Sequence, residues 1–214
     1  MKEKLEKLLS IGSQALGDPV MASLPFLSKA GEGRGAELEA LLKHKNGFYA
    51  FAGALHVLPA SHRHVETGVT LEAWNSPALW RSGYGLNGND IVFFAEDLFG
   101  IQFCLYGNEV LSFDPETAKF SFFADSLEEW ASKILADYDY VTGYSLGHAW
   151  QTKNGALEQG YRLLPKVPFV LGGKFEADNL YACDATEGMK MRGELAQKIK
   201  DLPDGAELKL QVGD

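Results

Sequence analysis

The sequence predicts an α+β protein, a largely antiparallel meander with helices packed on it. Three observations predict it. Residues 90–124 hold three or four consecutive strand patterns separated only by short turns. Helical periodicities flank that block instead of alternating regularly with strands. Finally, 46 % hydrophobic and 23 % charged residues over 214 positions are the values of a folded chain with a core of its own.

The elements follow in order. Leu5, Leu8, Leu9 and Leu16 recur near helical spacing among Lys and Glu, predicting a first helix over 2–16 that Gly17-Asp18-Pro19 stops. Residues 17–35 read as a long connection. A second helix over about 36–45 places Leu38, Leu41 and Leu42 on one face, and Asn46-Gly47 offers a left-handed cap. Residues 48–58 are strand-like up to Pro59. Ser76-Pro77 is a cap followed by proline at the first helical position, predicting a short helix that carries Trp80. Ile91–Ala95 is a strand rich in branched and aromatic residues. Ile101, Phe103 and Leu105 alternate with Gln102, Cys104 and Tyr106. Gly107-Asn108 turns the chain into Val110–Phe113, and Asp114-Pro115-Glu116-Thr117 returns it into Lys119–Phe123.

Ser126 and Glu129 fit a capping box for the clearest helix, whose stripe is Leu127, Trp130, Ala131, Ile134 and Leu135. Residues 143–153 form another helix candidate, and 161–185 mix short strands with turns. A last helix over 186–200 presents Met191, Leu195, Ile199 and Leu202 as its candidate buried face. Pro203-Asp204-Gly205 then turns the chain into a final strand carrying Leu208, Leu210 and Val212.

Several function classes fall away on composition. A net charge of −9 disfavours gripping a phosphate backbone or an anionic membrane, because both need clustered Lys and Arg. Cys104 and Cys183 are too few for a disulfide scaffold. The start Met1-Lys2-Glu3-Lys4-Leu5-Glu6-Lys7 lacks the apolar core of a signal peptide, and no apolar run reaches membrane-spanning length. A cytoplasmic protein is the expectation.

Motifs that suggest chemistry have plainer readings. Gly83, Gly85 and Gly88 spell G-x-G-x-x-G, but a helix precedes and a strand follows, the reverse of a dinucleotide site. Gly143-Tyr144-Ser145-Leu146-Gly147 spells G-x-S-x-G, with Tyr138–Val141 as the strand a nucleophile elbow needs. His148 is the last histidine, three residues after Ser145 and too close to act as a separately placed base. A serine hydrolase using Ser145 is therefore the remote alternative. His56, His62 and His64 cluster without a nearby cysteine and read as a polar loop; no metal or cofactor site is expected. Cys104 and Cys183 read as small buried residues, and Trp74, Trp80, Trp130 and Trp150 as core.

Charge is the asymmetry that survives. Residues 108–139 carry eight acids against Lys119 and Lys133, net −6. Glu96-Asp97 sit at a strand end, where active-site carboxylates often lie, although an exposed acidic turn is commoner. An acidic face built from Glu96, Asp97, Glu109, Asp114, Glu116, Glu128 and Glu129 is the candidate partner-binding surface.

The stretch from Trp74 to Leu135 resembles the SUKH superfamily, whose namesakes are the fungal Smi and Knr cell-wall regulators. The matching features are Glu72-Ala73-Trp74, the glycine-rich turn, Ile91–Ala95 with Glu96-Asp97, and Gly100-Ile101-Gln102-Phe103. The hairpin to Asp114 and Phe122 ahead of Ser126-Leu127-Glu128-Glu129-Trp130 complete them. The resemblance implies one SUKH-like domain over 1–214. Its core is about 36–137, with the N-terminal helix 2–16 before it and a C-terminal extension of about 138–214 after it. It implies a sheet of four to six strands and a non-enzymatic role. Many bacterial members are immunity proteins that bind and block a cognate toxin. The expected partner is thus a protein, a basic toxin domain, with an intracellular regulatory or scaffold module as the alternative.

Overall fold

Six strands lie side by side in chain order in the computed structural model, which describes residues 2–61, 68–88 and 90–202. They are β1 (Phe48–Ala50), β2 (Leu55–Val57), β3 (Ile91–Glu96), β4 (Gln102–Tyr106), β5 (Glu109–Asp114) and β6 (Lys119–Ala124). Every neighbouring pair is antiparallel. A second sheet pairs β7 (Tyr161–Pro165) with β8 (Leu180–Asp184). The helices are α1 (Glu3–Ile11), α2 (Glu32–His44), α3 (Leu71–Trp74), α4 (Leu127–Ala136), α5 (Tyr138–Thr142), α6 (Tyr144–Asn154) and α7 (Ala185–Ile199). The α+β architecture is therefore the observed one. No helix among the described residues is long and apolar enough to cross a membrane.

Both faces of the large sheet are covered, which explains why β3 is apolar almost throughout. On one face α4 sets Trp130 against Phe94 and Phe103, with ring centroids 5.1 and 5.9 Å apart. On the other, Trp80, Tyr84, Phe93, Phe113 and Phe120 form an aromatic cluster, with Trp80–Phe93 at 4.9 Å and Phe113–Phe120 at 4.8 Å. The register slips between Phe93 and Ala95, a bulge that inserts Phe94. Ser126 caps α4 by accepting from the Glu129 N–H, and the Glu129 carboxylate accepts from the Asp125 N–H, close to the expected capping box.

Several sequence expectations need correction. The first helix ends at Ile11 rather than 16, because the Lys45 ammonium closes it by donating to the carbonyls of Leu9, Gly12 and Ser13. Ser13, Leu16 and Gly17 then bond the main chain of 46–49 instead of continuing the helix. The 17–35 connection contains a 3-10 turn, Pro25–Ala30, and the second helix starts at Glu32. Residues 48–58 form two strands, with Phe51 and Ala52 at positive φ between them, a tight turn without the usual Asn or Asp signal. The helix near Ser76 lies earlier, as α3 capped by Thr70, and Trp80 precedes a 3-10 turn, Arg81–Tyr84.

Tyr138–Thr142 is helix α5, not a strand. The buried face of α7 is Ala185, Met189, Arg192 and Ala196; Met191 and Leu202 are exposed, so the expected stripe is out of register. The turn at 203–205 and the strand at Leu208–Val212 lie outside the described residues.

Trp130 is fully buried where α4 meets the sheet. Trp130→Ala is expected to cost about 3–5 kcal/mol, read as a lower denaturation midpoint in urea.

Candidate functional site

The sheet end at Glu96 is tied together by an ionic node. Glu96 pairs in register with His56 on β2 and Gln102 on β4. Its Oε1 lies 2.9 Å from Nε of Arg162, which β7 delivers from the second sheet, and both side chains are almost wholly buried. His56 Nδ1 donates to the same oxygen at 3.0 Å, and Gln102 Nε2 donates to Oε2 at 3.1 Å. Trp74 Nε1 in turn donates to Gln102 Oε1 at 2.9 Å. Tyr49 stacks on His56 at 4.4 Å and lies under the Arg162 guanidinium at 5.6 Å. Burial by itself would raise Glu96, but Arg162, His56 and Gln102 override it and draw the carboxyl down to about 2.

Beyond Glu96 the chain makes a tight turn. Asp97 Oδ1 accepts the backbone N–H groups of Phe99 and Ile101 at 2.9 and 2.8 Å. Gly100, at φ +75°, leaves room there for Arg192: a Cβ would sit 2.6 Å from Nη2. Arg192 comes from the buried stripe of α7 and donates to the carbonyls of Phe99 and Gly188. Burial pushes Asp97 up, to about 8, against the pull of those two N–H groups and the Arg162 and Arg192 charges. Glu116 is also raised by burial, although the backbone of Val170 and Phe169 donates to it.

These groups line one cleft of about 570 Å³. Asp97, Asp114, Glu116 and Arg192 supply its charge. Its apolar walls come from the sheet (Ile101, Phe103, Phe123) and from the segment holding Phe169, Val170 and Phe175. Phe169 and Phe175 stack at 3.9 Å, and Phe99 meets both edge-on at 5.5 and 6.1 Å. Tyr140 of α5 is 88 % exposed and Phe175 66 % exposed at the mouth. Such apolar walls with a few converging polar groups are what a binding cleft requires.

The seven acids of the candidate surface do not form one face. Glu96, Asp97 and Glu116 are buried, because β7, α7 and the 167–175 segment close over that end of the sheet. Glu128 accepts the N–H groups of Lys4 and Leu5 at 2.9 and 3.1 Å and so holds the start of α1. Glu129 caps α4 and pairs with Lys133. Asp114 holds its own turn, accepting from the Glu116 N–H and the Thr117 hydroxyl. Glu109 is exposed at the other end of β5, about 17 Å from Asp114 along an extended strand. Asp97, Asp114 and Glu116 are nevertheless brought together, in the cleft. Arg192, Phe99, Tyr140, Phe169 and Phe175 were not anticipated. A basic residue on an apolar helical stripe is the one signal in the sequence, and it shows only on the face of α7 that carries Met189 and Ala196.

The other motifs resolve locally. G-x-S-x-G spans a helix–helix corner rather than a strand-to-helix elbow. Gly143 is left-handed between α5 and α6, where a Cβ would come 2.5 Å from the Phe99 ring. A Cβ at Gly147 would sit 2.7 Å from Leu98. Ser145 is exposed and donates its N–H to Asp139, while His148 stacks on Tyr144. Gly85 is the left-handed end of the 3-10 turn at 81–84, ahead of β3. His62 and His64 lie outside the described residues, and His56 belongs to the Glu96 node. Among the described residues no three His, Cys, Asp or Glu are grouped to hold a metal. Cys104 is buried, with its thiol raised by burial, whereas Cys183 is only half-buried, contrary to expectation. Trp74, Trp80 and Trp130 are core; Trp150 is half-buried.

No family model and no curated protein matches the chain. Among solved structures, the crystal structure of Atu4351 from Agrobacterium tumefaciens is similar, with a TM-score of 0.57 at 15 % identity. The alignment covers 91 % of this chain and 89 % of that one. The likeness is one of fold.

Two outcomes are expected from the node and the corner. Arg162→Met leaves a buried carboxylate uncompensated and should cost roughly 3–5 kcal/mol, with part recovered in the double variant Glu96→Gln/Arg162→Met. Because Glu96 titrates below its ordinary 4.5, its contribution is complete above that pH and fades as pH falls toward about 2. Acid melts of Glu96→Gln should therefore lack part of the wild-type loss. Separately, Gly143→Ala should lower the melting temperature, since a left-handed Ala costs roughly 1–2 kcal/mol before any clash with Phe99, while Ser145→Ala should leave it unchanged.

Proposed function

We propose that the chain is a non-enzymatic protein-binding domain of immunity type, which neutralises a basic partner, a bacterial toxin domain, by covering part of its surface. The observation that carries this reading is the cleft: apolar walls, carboxylates within, and Tyr140 and Phe175 standing exposed at its mouth. Exposed aromatic side chains beside a concave apolar surface are the usual anchors of protein interfaces. Asp137 and Asp139, both exposed beside Tyr140, add negative charge to the rim. Lys174, next to Phe175 in sequence, is paired with Glu176 at 3.9 Å. With a net charge of −9, the whole chain favours a basic partner by electrostatic steering. The resemblance of residues 74–135 to SUKH proteins, and the antiparallel sheet clad by helices which that resemblance implies, agree with the same role.

The test is capture from a lysate of the source cells at low and moderate salt, with wild type beside Tyr140→Ser/Phe175→Ser. A basic protein retained by wild type, released by salt and lost in the variant is the expected result. Equal capture by the variant, or no basic protein among those retained, would count against the reading.

A further inference from the structure

The cleft contains more acceptor capacity than its own residues use. Asp97 is only 5 % exposed, and both of its backbone donors converge on Oδ1. Among the described residues no hydrogen bond reaches Oδ2. Glu116, also 5 % exposed, lines the same space and accepts from the backbone of Val170, at 2.8 Å, and of Phe169. Asp114 is the third carboxylate. Within the lining one cation stands against these, Arg192, whose donors go to the carbonyls of Phe99 and Gly188 and to the Met189 sulfur at 3.5 Å, while Arg162, committed to Glu96, acts on Asp97 from outside the lining. Three acids and one base leave the lining at a formal −2 when all are ionised, a state that the burial of Asp97 and Glu116 opposes and that an incoming cation favours. A buried carboxylate without a matching cation is costly, and one that lines a cleft gains most from a cation brought in from outside.

The walls narrow the choice of cation. Phe99, Phe169 and Phe175 form a compact aromatic cluster in the lining, and Phe103 and Phe123 face it from the sheet, their rings 5.0 Å apart. A hydrated ammonium gains little from such walls. A guanidinium is planar and weakly hydrated, stacks on aromatic faces, and has donors enough for two carboxylates at once. The volume, about 570 Å³, is within the range of pre-formed ligand sites.

Resting on the protein-binding reading above, we propose that this cleft receives an arginine side chain of the basic partner, with its guanidinium shared by Asp97 and Glu116 and its stem against Phe99, Phe169 and Phe175. Tyr140 and Phe175 would then flank the entering chain at the mouth.

The test needs no knowledge of the partner. The purified chain is titrated with N-acetyl-arginine amide, followed by amide chemical shifts, beside the lysine amide and the neutral citrulline amide. Saturable binding in the millimolar range is expected for arginine, with shifts at residues 97–101, 116–117 and 169–175. Binding should be about tenfold weaker for citrulline, a loss of roughly 1.4 kcal/mol. Asp97→Asn keeps the Oδ1 acceptor of its turn, and Glu116→Gln keeps the acceptor for Val170. Both should retain the wild-type spectrum yet weaken arginine binding several-fold, while Glu109→Gln, at the far end of β5, should not.

Equal binding of the citrulline amide, no saturable binding of the arginine amide, or unchanged affinity in both carboxylate variants would overturn the inference. If the arginine amide fails but salt-sensitive capture through Tyr140 and Phe175 persists, this inference falls and the protein-binding reading stands. If the amide binds at Asp97 and Glu116 but no basic protein is captured, the cleft chemistry is upheld and the protein-binding reading falls.

Discussion

The buried pair of Glu96 and Arg162 fixes how the two halves of this chain meet. Glu96 ends β3, one of the two central strands of the large sheet, and Arg162 enters from the small sheet more than sixty residues later. Two charges taken out of water lose most of their mutual attraction to desolvation, so such a pair is a poor source of net stability. What it does is penalise every arrangement that separates the partners. His56, Gln102 and Trp74 extend the hydrogen bonding from Glu96, so β2, β3, β4 and α3 are bound into the same requirement. Just beyond both partners, the Leu98 carbonyl accepts from the Leu163 N–H at 2.9 Å, which continues the same junction in the main chain.

That junction positions the cleft. The turn after Glu96 carries Asp97 and Phe99, and α7, arriving with β7 and β8, brings Arg192 to the Phe99 carbonyl. The loop between β7 and β8 supplies Phe169, Val170 and Phe175, and the Val170 N–H reaches back to Glu116. A second small core of Leu98, Leu163 and Leu180, with Phe99, Tyr144 and Trp150 against it, fills the space behind. The cleft is thus a composite of the meander and the C-terminal third, and neither part contains it alone.

The negative charge of the chain divides by role rather than by segment. Glu128, Glu129, Asp137 and Asp184 hold helix starts by accepting backbone N–H groups, where the helix dipole also favours an anion. Glu96, Asp97 and Glu116 are interior. Glu109 and Asp139 remain in contact with solvent. A count of acids along the sequence therefore overstates the acidic surface of residues 108–139 and misses the acidic cleft.

Features that depend on neighbours a few positions apart are legible along the chain. The strand at 102–106, the Asp114 turn, the Ser126 cap and the Leu127–Ile134 stripe rest on local periodicity and local hydrogen bonds and reappear in the structure, although the alternation of 102–106 does not, because both faces of that strand are buried. The α+β class follows from them. At three places long-range packing overrode the local reading. It chose the buried face of α7, made 138–142 a helix, and split 48–58 into a hairpin through left-handed Phe51 and Ala52. The site was decided at longer range still. Glu96, Asp97 and Glu116 look like exposed turn acids until Arg162, Arg192 and Val170 arrive from residues 54 to 95 positions away in sequence. Burial and charge pairing are properties of that arrival, and no local pattern encodes them.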